Sequence, residues 1–411
     1  MKAWENAFFN YFAASAAKPK KARIGLEIEH FIVDRTTKEA VSYYGTHGVR
    51  DIVETLLRCY PGARPILGED LLGFDAGEFT ITLEPAAQLE ISVMPKITVR
   101  EIDSVYKDFL RCLSGILDAL NYELVNAAYQ PVSSVEDLQL IPKERYRLMD
   151  GHFRKTGSGG REMMRGTASM QVSVDYCGEA DFRRKVQAAY YFSPLLKLLC
   201  DTSSLQPGDG GQRRFLRRTD VWNRVDPRRC GILPDIFAKD YGFLHYIRFL
   251  GDMPPIFIMR GAGQEATGCK TVRELYGDTY LTEAEIEHVL SMAFPDVRLK
   301  KYLEIRVADS APPRYVPAYC ALIKGLFYNE SALDYAAGEI AASRLTEKDI
   351  TAAEDSLTAK GWEGSCYGRS VRTAAAELLA LARKPLNGEE RAYLEAFESV
   401  IEFQGIANVK N

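Results

Sequence analysis

An α+β fold built on an antiparallel sheet follows from three features of the sequence. Four segments alternate apolar side chains with acids and amides, amphipathic helices lie between them, and the chain from about Ser331 onward reads as helical throughout. The helical spacing of apolar residues predicts helices over residues 3–17, 49–59, 99–120, 181–200, 283–293 and 317–328. In the tail it predicts 347–359, 370–382 and 389–403. The strands are predicted over 23–34, 83–91, 167–175 and 298–307.

Side chains along a strand point alternately to opposite faces, so each of these segments has two sides. In the first, Ile24, Leu26 and Ile28 oppose Gly25, Glu27 and Glu29. In the second, Leu83, Pro85, Ala87, Leu89 and Ile91 oppose Glu84, Ala86, Gln88 and Glu90. The third sets Ala168, Met170, Val172 and Val174 against Thr167, Ser169, Gln171, Ser173 and Asp175. The fourth sets Leu299, Leu303, Ile305 and Val307 against Tyr302, Glu304 and Arg306, with Lys301 the one charge in the apolar phase.

The 411 residues are 46% hydrophobic and 26% charged, as in soluble globular chains, and no run of 18 apolar residues occurs. No repeat or long linker divides the chain, so a single catalytic domain over 1–411 is expected, with the helical region of about 331–411 packed against it. The apolar start precedes its basic cluster and is broken by Glu5 and Asn10, unlike a signal peptide, which predicts a cytoplasmic protein. Eight scattered cysteines with no C-x-x-C pair read as reduced thiols. A net charge of −4 gives no basis for a nucleic-acid partner, and no membrane partner is expected; small molecules are.

Outward strand faces are often polar, and each face taken alone fits an ordinary half-solvated strand. Together they collect Glu27, Glu29, Glu84, Glu90, Asp175 and Glu304. Carboxylates about 4 Å apart repel by about 4 kcal/mol at an effective dielectric near 20, so such faces call for cations. Oxygen-only donors, with Gln88 and Gln171 as neutral carbonyls, suit Mg2+ or Mn2+ and, through the metal, the phosphates of ATP. The loop Gly157-Ser158-Gly159-Gly160 is either a phosphate-covering run of amides or a plain turn. The basic run Arg213, Arg214, Arg217, Arg218, Arg224, Arg228 and Arg229 is either a solvated face or a phosphate and carboxylate reader.

These segments resemble the glutamate-cysteine ligases of the plant and proteobacterial type. The family's I-G-x-E-x-E strand is similar to Ile24 through Glu29, and its L-E-P-G-G-Q-x-E-x-S segment to Leu83 through Ser92. Met163 through Asp175 resembles its M-M-x-x-T-x-x-x-Q-V-x-x-D strand, and Arg218, Trp222, Asp226, Arg229 and Gly231 fit R-x-x-x-W-x-x-x-D-x-x-R-x-G. Asp252 through Arg260 fits D-x-P-x-x-F-x-x-R, and Phe294 through Asp309 matches F-P-x-V-R-L-K-x-Y-L-E-x-R-x-A-D.

The resemblance implies a curved antiparallel sheet of the glutamine synthetase and guanidino kinase kind, ringed by helices, with a funnel on its concave face. It implies ATP and Mg2+, and ligation of the glutamate side-chain carboxylate to cysteine through a γ-glutamyl phosphate, the opening step of glutathione synthesis. It assigns Glu27, Glu29, Glu84, Glu90, Gln171 and Glu304 to metal ligands or their neighbours. Arg229, Arg260 and Arg306 would face phosphate or carboxylate, and Gln88, Arg165, Arg218, Trp222 and Tyr302 would contact substrate. A monomer or homodimer is expected.

The chain departs from the pattern at Ala86 and Ala87, where the family has paired glycines, at Arg165, one place early, at Val307, and over Leu195 through Leu205. These changes keep open a related γ-glutamyl ligase with another amine, for ergothioneine or a specialised metabolite. A phosphotransferase or non-catalytic ATP-binding relative is the reading from a different class.

Overall fold

The computed structural model describes residues 1–17, 21–203, 215–260 and 263–409. Nine strands form the main sheet: β1 (Ile24–Asp34), β2 (Arg64–Leu67), β3 (Leu71–Asp75), β4 (Phe79–Leu83), β5 (Leu89–Lys96), β6 (Tyr122–Val125), β7 (Ser169–Val174), β8 (Val297–Leu299) and β9 (Leu303–Asp309). Their order is β8-β9-β7-β1-β5-β4-β3-β2, with β6 pairing the far end of β1, and every pairing is antiparallel.

Two segments expected as single strands are hairpins. Residues 83–91 cross from β4 to β5 through a turn closed by Glu84 N–H to Gln88 O and Ala87 N–H to Glu84 O, both at 2.9 Å. Ala87 takes a left-handed φ of 66°, a conformation that favours glycine. Residues 298–307 turn at Lys300–Tyr302, which explains the charge of Lys301 in an apolar phase: it sits in a turn, outside the strand alternation. Alternation alone cannot separate a long strand from a tight hairpin whose arms keep the same phase.

The helices are α1 (Ala3–Ala16), α2 (Val49–Arg58), α3 (Val99–Ala119), α4 (Glu144–Thr156), α5 (Glu179–Leu199), α6 (Arg217–Asn223), α7 (Phe243–Asp252), α8 (Val272–Tyr276), α9 (Glu283–Leu290), α10 (Tyr315–Phe327), α11 (Glu330–Ser343), α12 (Glu347–Lys360), α13 (Val371–Arg383), α14 (Gly388–Tyr393) and α15 (Glu395–Phe403). Capping boxes begin α3 (Thr98 with Glu101), α9 (Thr282 with Glu285) and α12 (Thr346 with Asp349). Helix α4 was not expected, because its charge-rich sequence leaves only Tyr146, Met149, Asp150 and Phe153 buried. The helix expected over 389–403 is two, meeting at the buried Leu394.

One contiguous apolar core runs from Trp4 to Ile406. Helices α3 and α10 cover the apolar face of the sheet, and His30 on that face is fully buried, bonded to Leu89 O at 2.9 Å and Tyr106 Oη at 3.0 Å. Helix α13 packs on α10 at Gly325, where a Cβ would lie 2.2 Å from Ala382 O. Each fully buried leucine of α10, such as Leu322 and Leu326, contributes roughly 1.5–3 kcal/mol. The opposite face of the sheet is left for the acids.

Candidate active site

The acid-bearing sheet face floors a cleft of about 610 Å3. Register places Glu27 opposite Gln171 across β1 and β7, and Glu29 opposite Glu90 across β1 and β5. Glu84, at the β4–β5 turn, completes the acid set and lies 3.2 Å from the Tyr146 hydroxyl. Ser169 donates to Glu29 from its amide and hydroxyl, at 2.8 and 2.9 Å, and Thr82 Oγ1 donates to Glu90 at 2.8 Å. Burial followed by the charge of Glu84 pushes Glu29 up to about 7 despite these bonds. Burial and its acidic neighbours push Glu90 well above the carboxylate range, and burial with Glu304 raises Glu27.

Cations crowd one side of the floor. Glu304 pairs with Arg298 at 2.6 Å, Arg306 at 2.9 Å and Lys300 at 3.4 Å. Burial would raise its pKa, but these three charges hold Glu304 well below the usual range. Arg306 also donates to Gln171 Oε1. Lys143 and Arg145 line the cleft, with Lys143 bonded to the Tyr146 hydroxyl and Arg145 to Ser291, and no ion pair of either is found among the described residues. An isolated Lys-x-Arg at a charge-rich helix start carries no signal in the sequence; only the approach of α4 to the sheet brings the two into the cleft.

Of the residues expected to bind substrate, Gln88, Trp222 and Tyr302 line the cleft. Gln88 is fully engaged, accepting from Ala86 N–H and donating to the carbonyls of Met164 and Thr167, so it shapes the turn beside Glu84. Arg218 is buried at the wall of a side pocket of about 20 Å3 that it shares with Lys197, Trp222, Asp296 and Arg306. Its guanidinium lies 5.5 Å from the Trp222 ring, and neither Arg218 Nε nor Trp222 Nε1 has a hydrogen-bond partner among the described residues.

Other expectations are corrected. Arg229 is fully buried away from the cleft, its Nε on Asp226 at 2.6 Å and its Nη atoms on the carbonyls of Met292 and Pro254. A guanidinium so enclosed ties the segment after α6 to the loops that follow α7 and precede β8. Arg165 likewise spends its fork on Asp150 and the carbonyls of Val135 and Leu138. Glu304 stands beside the acid floor, paired with three cations. The glycine loop is a packing loop: a Cβ at Gly157 would lie 2.1 Å from Arg224 O, one at Gly159 2.4 Å from Val221 O, and the Gly159 amide is used by Arg224 O. Arg260 lies on the strand Phe257–Arg260, but its side chain, with Arg213 and Arg214, is outside the described residues.

Glu27, Glu29, Glu84 and Glu90 are oxygen donors gathered in one cleft, and by chemistry they fit Mg2+ or Mn2+. Among the described residues no three Asp, Glu, His or Cys side chains already converge on one point at liganding distance.

The cleft thus joins a sheet face of four half-buried acids to a cluster of cations. The fold is shared with a glutamate–cysteine ligase from Francisella tularensis solved in complex with AMP, at a TM-score of 0.55 and 13% identity, covering 94% of this chain and 83% of that one. The chain belongs to the glutamate-cysteine ligase family 2 (GCS2), whose model matches residues 23–408, and is thus a ligase. Curated relatives include chloroplastic glutamate–cysteine ligases of Medicago truncatula, 28% identical over 403 residues (95% of this chain, 78% of the relative), and Brassica juncea, 28% identical over 393 (94% and 75%). Among the described residues no helix is long and apolar enough to cross a membrane.

Proposed function

We propose that this chain joins glutamate, through its side-chain carboxyl, to the amine of cysteine at the expense of ATP, the first step of glutathione synthesis. The observation that carries the reading is the set of four half-buried glutamates, Glu27, Glu29, Glu84 and Glu90, in one cleft with Lys143, Arg145, Lys300 and Arg306. A carboxylate is a poor electrophile. Its oxygen attacks the γ-phosphorus of ATP and ADP leaves; the amine then attacks the acyl carbon, and phosphate departs with the carbonyl re-formed.

The cations stabilise charge on the transferring phosphoryl group, and no protein nucleophile is needed. Glu27, Glu29, Glu84 and Glu90, with Gln171 beside them, are the side chains that would hold Mg2+ or Mn2+. Bound there, the ion supplies neutralisation of phosphate oxygens. Arg218 and Trp222, with unused donors at the side pocket, are suited to a substrate carboxylate. Arg306, which touches both Gln171 and Glu304, bridges the metal and carboxylate sides.

A second amine acceptor is favoured by one observation: Lys197, within the segment that departs from the family pattern, reaches the side pocket and pairs there with Asp296 at 2.7 Å. The reading includes a cytoplasmic location, supported by cysteines that are all free, and a monomer or homodimer. Phosphate release from ATP and Mg2+ with glutamate, scanned over cysteine, 2-aminobutyrate, alanine and other amines with product masses recorded, tests it. Turnover with cysteine or 2-aminobutyrate is expected; turnover only with another amine selects the second acceptor, and phosphate release without an amine sinks the ligase reading.

A further inference from the structure

The helix α1 lies outside the segment matched by the family model, yet one of its side chains, Tyr11, lines the cleft. Trp4, Phe8 and Phe12 form its core stripe, with the Phe12 ring 5.7 Å from Phe243 and 5.9 Å from Tyr246. Tyr11 and Ser15, four residues apart, form a second stripe turned toward the Lys300–Tyr302 turn. Ser15 Oγ donates to Lys301 O at 2.6 Å. The Tyr176 hydroxyl lies between Phe12 O, at 3.2 Å, and Lys300 O, at 3.0 Å. Two successive carbonyls of the turn are thus held through α1.

The side chains join in. The Tyr11 hydroxyl donates to Glu287 Oε1 at 3.3 Å, Glu287 pairs with Lys301 at 2.9 Å, and Lys301 Nζ stands 5.4 Å from the Tyr11 ring centre. The turn delivers Lys300 and Tyr302 into the cleft, with Lys300 Nζ 5.0 Å from the Tyr302 ring. Lys300 is only loosely engaged by Glu304 at 3.4 Å, which leaves a compact ammonium over the acid floor, the form in which lysine meets phosphate. The side pocket of about 20 Å3, which shares Trp222, Phe294 and Arg306 with the cleft, is far too small for a nucleotide, so the cleft itself must hold it.

We propose that α1 completes the nucleotide end of the cleft: Tyr11 is part of its wall, and Ser15 is a positioning residue that sets the Lys300–Tyr302 turn against the phosphates. This rests on the ATP-dependent reading above. A turn displaced by a fraction of an ångström misplaces its lysine, and the loss falls on nucleotide affinity rather than on glutamate.

The test is titration of a non-hydrolysable ATP analogue with Mg2+ into the full chain, together with KM values for ATP and glutamate and the Tm of each variant. Ser15→Ala and Tyr11→Ala are expected to weaken nucleotide binding by about tenfold and raise KM for ATP in step, with KM for glutamate unchanged. Phe9→Ala loosens α1 at its contact with Phe243, ring centres 6.0 Å apart, without touching the turn; it is expected to lower Tm and leave nucleotide affinity alone. Wild-type affinity in Ser15→Ala and Tyr11→Ala, or equal weakening by Phe9→Ala, overturns this inference while the proposed function stands. A wild-type protein that binds no nucleotide overturns both.

Discussion

Glu29 and Glu90 sit directly opposite one another on the neighbouring antiparallel strands β1 and β5. Two carboxylates in a cross-strand pair destabilise the sheet that carries them, and the structure keeps four such groups in one cleft. Stability is given up where the proposed chemistry needs charge.

Glu90→Gln therefore separates stability from function. Replacing a carboxyl that burial and its acidic neighbours push well above its ordinary range with a neutral amide is expected to raise stability in the absence of divalent cation by up to about 1 kcal/mol, read as a higher Tm in EDTA. Turnover should fall by about 10^2 or more, the loss seen on deleting comparable electrostatic groups. A variant with normal turnover removes Glu90 from the site.

Adding Mg2+ or Mn2+ should stabilise the wild-type chain by mass action, about 2.7 kcal/mol at 100 times the dissociation constant. Thermal unfolding with and without chelator reads this directly. In Glu27→Gln the gain should shrink or vanish; an equal gain in both proteins would place the cation elsewhere.

Arg229→Ala should unfold the protein rather than slow it. Deleting one partner of a buried, hydrogen-bonded ion pair leaves Asp226 uncompensated, at about 3–5 kcal/mol, and the fraction that folds should keep its KM values. Poor soluble yield and a depressed Tm are the expected signs. A stable Arg229→Ala protein with a raised KM for one substrate would restore the assignment of Arg229 to the site.

Asp226 also makes stability depend on acid. Burial works to raise its pKa, but the hydrogen bond from His152, the charge of Arg229 and the Arg228 amide outweigh it and hold the group well below the carboxylate range. The folded state then binds fewer protons than the unfolded chain, where an aspartate titrates near about 3.9. Its contribution is present above about pH 4 and is lost as pH falls below that value, so denaturant unfolding at pH 3 and pH 6 should differ more for wild type than for Asp226→Asn.

Ala87→Gly should stabilise the β4–β5 turn by about 1 kcal/mol, because alanine at a φ of 66° carries a Cβ penalty that glycine lacks. Tm should rise by a few degrees. An unchanged Tm would mean that the greater freedom of glycine in the unfolded chain offsets the relief.

What the sequence determined by itself was local. Strand alternation has a period of two, so the choice of Glu27 and Glu29 for one face and Ile24, Leu26 and Ile28 for the other was legible along residues 24–29, as was the matching choice in residues 169–174. Helical periodicity located most helices within a few residues for the same reason. Residues 83–91 and 298–307 read as single strands because a hairpin whose arms keep phase looks continuous until its turn hydrogen bonds are seen.

Only the tertiary structure decided which charged groups share the cleft. The arginines at 165, 218, 229 and 306 look alike in the sequence, yet Arg306 and Arg218 reach the cleft and its side pocket while Arg165 and Arg229 are consumed by buried carbonyls and aspartates. Lys143, Arg145 and Tyr11 come to the acid floor from helices distant in the chain. A side chain's partners across such separations are set by packing of the whole core, and no local spacing encodes them.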